Sequence, residues 1–162
     1  MDIAIISDTH MPRRGRRLPE ACVARLRSAD LIVHAGDLVQ ISVLETLRCY
    51  GEVVAVHGNV DDAEVRAALP AVATVATAGA RIVVVHDAGA ARGRLSRLRA
   101  RFPDADVVIF GHSHLPWHER APDGFQIFNP GSPTERRRAP RVTMGAARAG
   151  RGGVAFELIA LG

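Results

Sequence analysis

Three short, mostly apolar segments in the first 60 residues each run into an aspartate or an asparagine. These pairs are residues 2–7 before Asp8, residues 31–35 before Asp37, and residues 52–56 before Asn59. The polar residues are 29 and 22 positions apart, enough for a strand, a helix and a second strand. Such right-handed crossovers make the strands parallel, and their carboxyl ends then meet at one sheet edge. The repeat therefore predicts an α/β fold with polar side chains gathered at that edge.

The intervening segments fit helices. Pro19–Ser28 and Ile41–Cys49 carry apolar residues at helical spacing. A shorter helix is expected to end near Leu69, with Asp61 or Asp62 as its cap. Asp61 is thus interpreted as a cap or as an acceptor that supports the site, and not as a ligand.

The second half of the chain has a different pattern. Segments 72–77 and 81–85 are predicted to form a hairpin, residues 91–102 a helix, and residues 106–110 another strand. Three further short strands are expected at residues 125–128, 142–147 and 154–160, antiparallel and in a second sheet. Two sheets face to face with helices outside would bury the apolar residues. The length of 162 residues suits a single domain over residues 1–162.

Further ligand-type residues follow the later strands. A histidine ends the segment 81–85, and two more follow Gly111 in the motif Gly-His-Ser-His. With the earlier strand ends this gives seven candidate metal ligands: Asp8, His10, Asp37, Asn59, His86, His112 and His114. Seven ligands exceed one tetrahedral ion but suit two ions about 3.5–4 Å apart that share a carboxylate. Asp37 is the expected bridge, and the mixture of nitrogen and oxygen favours manganese, iron, nickel or zinc.

Charge and composition limit the functions that fit. All 21 basic residues are arginine, at a net charge of +4, which we interpret as compositional bias before nucleic-acid binding. Nucleic acid is therefore expected only as a substrate. Arg13 and Arg14 follow His10 closely and are candidate contacts for a substrate phosphate. No apolar run approaches the ~20 residues of a membrane span, and the first residues do not resemble a signal peptide, so a cytoplasmic location is expected.

Five motifs occur in a characteristic order: Asp8-Thr9-His10, Gly36-Asp37, Gly58-Asn59-Val60-Asp61, His86, and Gly111-His112-Ser113-His114. Together they resemble the calcineurin-like metallophosphoesterases. The small size and the segment Asn129-Pro130-Gly131-Ser132 are similar to the small YfcE-like phosphodiesterase branch.

The resemblance implies a four-layer α-β-β-α sandwich of two mixed sheets flanked by helices. It also implies a division of the ligands between two metal ions. Asp8, His10, Asp37 and His114 would hold one, and Asp37, Asn59, His86 and His112 the other.

By the same resemblance, the expected activity is hydrolysis of a small phosphodiester through a dinuclear centre with a metal-bridging hydroxide. Asp37, His10 and Asn59 are the catalytic candidates. Two departures from the family pattern matter, one of them at His86, which is followed by Asp87 where glycine is common. The other concerns the leaving group, because a histidine that protonates it in the protein-phosphatase branch is replaced here by Val60. A leaving group of low pKa, or one protonated by water, should then be favoured.

Alternatives stay open at this point. The chain fits a weakly active or inactive scaffold protein on the same fold, like the retromer subunit that resembles this branch. It also fits a phosphomonoesterase or a nuclease, and assembly with further copies of itself is left open. The complete set of seven ligand-competent side chains favours an enzyme.

Overall fold

Two five-stranded sheets pack face to face in the computed structural model, which describes residues 1–162. The first sheet has the spatial order β10 (Gly153–Ala160), β9 (Thr143–Gly150), β1 (Asp2–Ile6), β2 (Leu31–His34), β3 (Val53–Ala55). The second has the order β4 (Val72–Ala76), β5 (Arg81–Val85), β6 (Val107–Ile109), β8 (Gln126–Asn129), β7 (Trp117–Arg120). The helices are α1 (Glu20–Ser28), α2 (Ile41–Arg48), α3 (Ala63–Ala68) and α4 (Arg94–Arg101). The predicted α/β class with two mixed sheets flanked by helices is confirmed.

Three apolar clusters hold these layers together. Because side chains alternate along a strand, Ile5 points between the sheets whereas Ile6 points toward α1 and α2. The central cluster contains Ile5 and Phe128 from opposite sheets. The outer cluster of the second sheet places Leu98 of α4 against Val108 of β6. Each helix therefore covers the outer face of one sheet, as a four-layer sandwich requires.

The parallel part of the fold agrees with the sequence. Strands β1, β2 and β3 are parallel neighbours, and β4 and β5 form the expected antiparallel hairpin. Helix α3 is capped by Asp62, whose side chain accepts a hydrogen bond from the Val65 amide at 2.9 Å. Helix α4 starts three residues later than predicted, after Gly93 with a φ of 68°.

The predicted antiparallel pairing is confirmed for β9 with β10 and for β8 with β7, but the prediction for the last strands was wrong in two respects. Strand β8 lies parallel to β6, and β9 and β10 join the first sheet, where β9 is antiparallel to β1. The Ile5–Gly145 pair shows why the pairing is possible. A Cβ atom at Gly145 would lie 2.4 Å from the Phe128 ring, so glycine lets β9 pass over the second sheet.

The strand arrangement sets the position of the candidate ligands. Strands β1, β2, β3, β5 and β6 run in parallel sets, and their carboxyl ends lie at the same end of the sandwich. Backbone hydrogen bonds connect the loops there, including Asp8 N to Gly36 O at 2.9 Å and Gly111 N to His86 O at 2.9 Å.

None of the helices combines the length and the apolar character needed to cross a lipid bilayer.

Candidate metal centre

The seven predicted ligands lie together at the carboxyl ends of the parallel strands, as two groups of three residues with Asp37 between them. The first group, which we call the buried cluster, consists of Asp8, His10 and His114, all at most 4% exposed. His114 Nε2 is 3.4 Å from Asp8 Oδ1, and His10 Nε2 is 4.0 Å from the same oxygen. One ligand atom from each of the three residues falls within 4.8 Å of the others, a spacing that suits a metal ion.

The second group, which we call the open cluster, consists of His86, Asn59 and His112. Asn59 Oδ1 is 3.0 Å from His86 Nε2 and 3.0 Å from His112 Nδ1. The two imidazole nitrogens are 3.3 Å apart. Asn59 and His112 are exposed to solvent, whereas His86 is buried. This cluster therefore faces the exterior with two of its three members.

Asp37 lies between the clusters. Its Oδ2 atom is 3.4 Å from His10 Nε2 on one side and 3.4 Å from His86 Nε2 on the other. Asp8 also approaches both groups, since ligand atoms of Asp8, Asp37 and His86 lie within 4.8 Å of one another. The geometry thus places Asp37 where a bridging carboxylate is expected, and it brings Asp8 closer to the open cluster than the resemblance implied.

Hydrogen bonds to backbone carbonyls fix the ring nitrogens that face inward. A carbonyl only accepts, so His114 Nδ1 donates to Glu135 O at 3.0 Å and His86 Nδ1 donates to Ala35 O at 2.8 Å. The Nε2 atom of each ring is then the one able to hold a proton or a cation. His10 Nε2 and His114 Nε2 are buried and have no hydrogen-bond partner. These unpartnered atoms beside two carboxylates fit divalent metal ions.

The ionisation of the site follows from burial and charge. Burial raises the pKa of Asp8 to about 6 and lowers the pKa of His114 to about 4. Burial also opposes the charge on Asp37, but the imidazoles of His10 and His86 outweigh it and hold the Asp37 pKa well below its usual range. For His86, the neighbouring Asp37 overcomes burial and raises the pKa to about 9. Asp37 thus favours the protonated form of His86, and a cation bound at this imidazole would compete with that proton.

The backbone at the site is strained. Five of the seven candidate ligands have positive φ angles: Asp8 55°, His10 47°, Asp37 63°, His112 70° and His114 57°. The left-handed conformation costs an L-residue about 1–2 kcal/mol. Such conformations persist where the surroundings impose them, and they are concentrated at functional sites.

Two glycines allow the loops to approach the carboxylates. A Cβ atom at Gly58 would lie 2.1 Å from Asp37 Oδ1. A Cβ atom at Gly111 would lie 1.9 Å from Ser7 Oγ and 2.8 Å from Asp8 Oδ2. Any larger residue at these positions would displace a candidate ligand.

Three residues that are not candidate ligands form hydrogen bonds to the ligands or to their loops: Asp61, Ser7 and Ser132. Asp61 is buried and accepts from the amides of Val39 at 2.5 Å, Gly58 at 2.6 Å and Asp37 at 3.1 Å, so it joins two ligand loops. The other two contact Asp8, and sequence reasoning did not identify their roles. Ser7 Oγ donates to Asp8 Oδ2 at 2.6 Å, and Ser132 Oγ donates to the Asp8 carbonyl at 2.8 Å. The position of Ser7 directly before Asp8 was the signal available in the sequence.

Arg13 and Arg14, the predicted contacts for a substrate phosphate, differ in what their side chains contact. Arg13 reaches across to the loop of Asn59, where its Nη2 atom is 3.5 Å from Val60 O. Arg14 is exposed, has a φ of 56° and makes no side-chain hydrogen bond. Arg66, which the sequence did not indicate, donates to Asp61 O at 2.9 Å and to Asn59 O at 2.7 Å. It therefore holds the Asn59 loop in place.

Comparisons with known proteins agree with this geometry. A family model described as the calcineurin-like phosphoesterase superfamily domain matches residues 1–150. A probable metallophosphoesterase of Methanothermobacter thermautotrophicus is 36% identical over 145 residues, covering 88% of this chain and 81% of the relative. A solution structure of a Thermotoga maritima protein is 30% identical with a TM-score of 0.77, and each chain is covered to 99%. Vps29 of Entamoeba histolytica in complex with zinc is 22% identical with a TM-score of 0.78 over the whole of both chains, which shows a shared fold.

Proposed function

The chain belongs to the calcineurin-like phosphoesterase superfamily, and from that premise we propose that it hydrolyses a small phosphodiester with two divalent transition-metal ions. The observation that carries the proposal is the position of Asp37 Oδ2, 3.4 Å from an imidazole nitrogen of each group of ligands. A carboxylate placed between two sets of nitrogen and oxygen ligands is the expected arrangement of a two-metal hydrolase.

The proposed ligand sets follow from the contacts. The buried cluster with Asp37 would hold one ion, and the open cluster with Asp37 would hold the other. Bound there, manganese, iron, nickel or zinc would polarise the phosphoryl oxygens and lower the pKa of a water molecule. The carbonyl groups of Glu135 and Ala35 orient two of the imidazoles for this purpose.

The charge of the ligand set suits an anionic substrate. Only Asp8 and Asp37 are carboxylates, and the other five ligands are neutral when they bind a cation. Two divalent ions would therefore retain a net positive charge that attracts a phosphodiester. Asn59 and His112 are exposed, so a substrate would approach from the open cluster.

A direct test compares bis-p-nitrophenyl phosphate with p-nitrophenyl phosphate in the presence of manganese, nickel or zinc. The expected result is faster hydrolysis of the diester and loss of that activity in Asp37→Ala. Asp104→Ala is the matched control, because it removes an exposed carboxylate next to the amino end of β6, away from the candidate ligands. Equal rates for wild type and Asp37→Ala with every metal would remove the enzyme proposal and favour a binding protein on the same fold.

A further inference from the structure

The proposed hydrolysis would be assisted by a group at the metal centre that protonates or stabilises the leaving oxygen of the substrate. Val60 follows Asn59 directly, and its amide donates to Asp37 Oδ1 at 3.0 Å, so position 60 adjoins the metal centre. Its side chain is a hydrocarbon that can neither donate a proton nor stabilise charge. Building on the proposed phosphodiesterase function, we propose that Arg13 performs this task by stabilising the negative charge on the leaving oxygen.

The position of Arg13 supports this role. It lies in the short 3-10 turn Arg13–Gly15 after β1, in the loop that begins with His10. Its guanidinium extends to Val60, with Nη2 at 3.5 Å from the carbonyl oxygen, and its side chain is exposed. This distance is long for a hydrogen bond, and a guanidinium has five N–H donors. Most of its donors therefore remain available to a substrate.

The neighbouring arginines are already bound to the protein. Arg66 donates two hydrogen bonds to backbone carbonyls of the Asn59 loop. Arg16 Nη2 is 2.8 Å from Glu135 Oε1. Arg137 is paired with the same carboxylate at 3.9 Å. Arg14 makes no side-chain hydrogen bond to the loops of the centre, whereas Arg13 extends to the Asn59 loop and makes only one long hydrogen bond there.

His57 is another residue near position 60 that can carry a proton. It lies two residues before Asn59, but its Nδ1 atom is buried and its backbone amide is bonded to Pro70 O. The His57 ring makes no hydrogen bond to the Asn59 loop or to a candidate ligand, whereas the Arg13 side chain contacts Val60 O. Arg13 therefore remains the better candidate.

The chemistry differs from general acid catalysis. A bond forms between phosphorus and the oxygen of the attacking water, whose proton passes to solvent. The bond between phosphorus and the leaving oxygen breaks, and its electron pair stays on that oxygen. A guanidinium does not give up its protons in a protein, so Arg13 stabilises the departing anion by charge-assisted hydrogen bonds. Solvent water then protonates the leaving group.

This arrangement defines a substrate class. A group that leaves as an anion departs faster when its oxygen is weakly basic. Arg13 makes the rate less dependent on this basicity but does not abolish the dependence. The preferred substrates are therefore diesters whose leaving oxygen is weakly basic, such as an aryl ester, ahead of simple alkyl diesters.

The test measures kcat/KM for aryl phosphodiesters with leaving groups of graded pKa, using Arg13→Gln and the control Arg17→Gln. Arg17 lies in the same loop, is exposed and makes no side-chain hydrogen bond, so its replacement removes the same charge. We expect Arg13→Gln to lower kcat/KM by about 10²-fold for the most basic leaving group and less for the others. The dependence of kcat/KM on leaving-group pKa should thus be steeper for Arg13→Gln than for the wild type. The amount of bound metal, measured by mass spectrometry, should stay at the wild-type level.

A second variant tests the role independently. Adding Val60→His to Arg13→Gln should restore part of the rate for basic leaving groups, with a new loss of rate at high pH as the histidine loses its proton. Equal slopes for wild type and Arg13→Gln, or an equal change in Arg17→Gln, would overturn the inference while the phosphodiesterase function stands. If the wild-type protein hydrolyses no diester with any metal, both proposals fall together.

Discussion

The buried and open clusters use similar side chains in different surroundings. In the buried cluster, two imidazole nitrogens have no hydrogen-bond partner and are shielded from water. In the open cluster, His86, Asn59 and His112 contact one another at 3.0–3.3 Å, and two of them are exposed. The facing polar atoms of the open cluster thus contact one another, whereas His10 Nε2 and His114 Nε2 of the buried cluster have no hydrogen-bond partner.

This difference predicts that the two clusters hold their ions with different affinities. A buried polar atom without a partner carries an energetic penalty that an ion relieves, so the buried cluster should hold its ion more tightly. The open cluster exchanges existing contacts for metal bonds and should hold its ion less tightly. Its exposure also leaves room for a substrate.

The largest effect is expected from the residue that the clusters share. Asp37→Ala should lower diester hydrolysis by about 10³-fold or more and reduce metal binding at both clusters, because its carboxylate contacts both. Steady-state kinetics and metal analysis after gel filtration measure this. Retention of one full equivalent of metal would show that one cluster does not depend on Asp37.

Replacing one histidine in each cluster tests whether the two clusters hold different ions. His114→Ala should deplete the tightly held ion, and His112→Ala the weakly held one, each with a loss of affinity of about 100-fold or more. Competition titrations with a chelating dye report the two affinities. If both variants lose the same ion, the assignment of the histidines to different clusters is wrong.

A smaller effect is expected from the residue that links the loops of both clusters. In Asp61→Asn, an amide NH2 group would face at least one of the backbone amides that now donate to Asp61. The free energy of unfolding should fall by about 1–3 kcal/mol, and the metal affinity of both clusters should decrease. Urea denaturation and the same titration measure these changes. Asp62→Asn is the control, because asparagine also caps a helix and the α3 cap should be preserved.

The smallest effect concerns His34, which supports the buried side by contacting Thr9 Oγ1 at 3.1 Å and the Gly36 amide at 3.2 Å. Burial lowers the pKa of His34 from 6.5 to about 3, so below pH 6.5 the unfolded chain binds a proton that the folded protein does not. Stability should therefore decrease as the pH falls from 7 to 5, by up to about 1.4 kcal/mol per pH unit for this group. In His34→Gln, denaturation at several pH values should show a shallower dependence. An unchanged slope would contradict the assignment.

Much of the fold could be predicted because its first half is repetitive. Strands β1 to β3 follow one pattern of apolar run and polar end, and a parallel crossover has only one common handedness. Strand β7 has no such signal, since Trp117–Arg120 is mostly exposed and has three polar residues. The Ala- and Gly-rich strand β9 gave no indication of which sheet it joins, because its register depends on Ile5 and Phe128.

The candidate site was predictable in its members and less so in its details. Strand ends indicated all seven side chains, because parallel strands bring their carboxyl ends together. The approach of Asp8 to both clusters depends on the His112 amide, which lies next to it only in the folded chain. Local sequence carries no information on such contacts. The resemblance to a family supplied the division of the ligands, and the spacing alone did not.

The left-handed backbone at five candidate ligands has an evolutionary consequence. Glycine adopts this conformation without strain, so changing an exposed ligand such as His112 to glycine would relieve about 1 kcal/mol in the metal-free protein. Substitutions that stabilise the metal-free protein would thus include ones that replace candidate ligands. This chain has aspartate or histidine at all five positions, so the stability of the metal-free protein alone does not account for its sequence there.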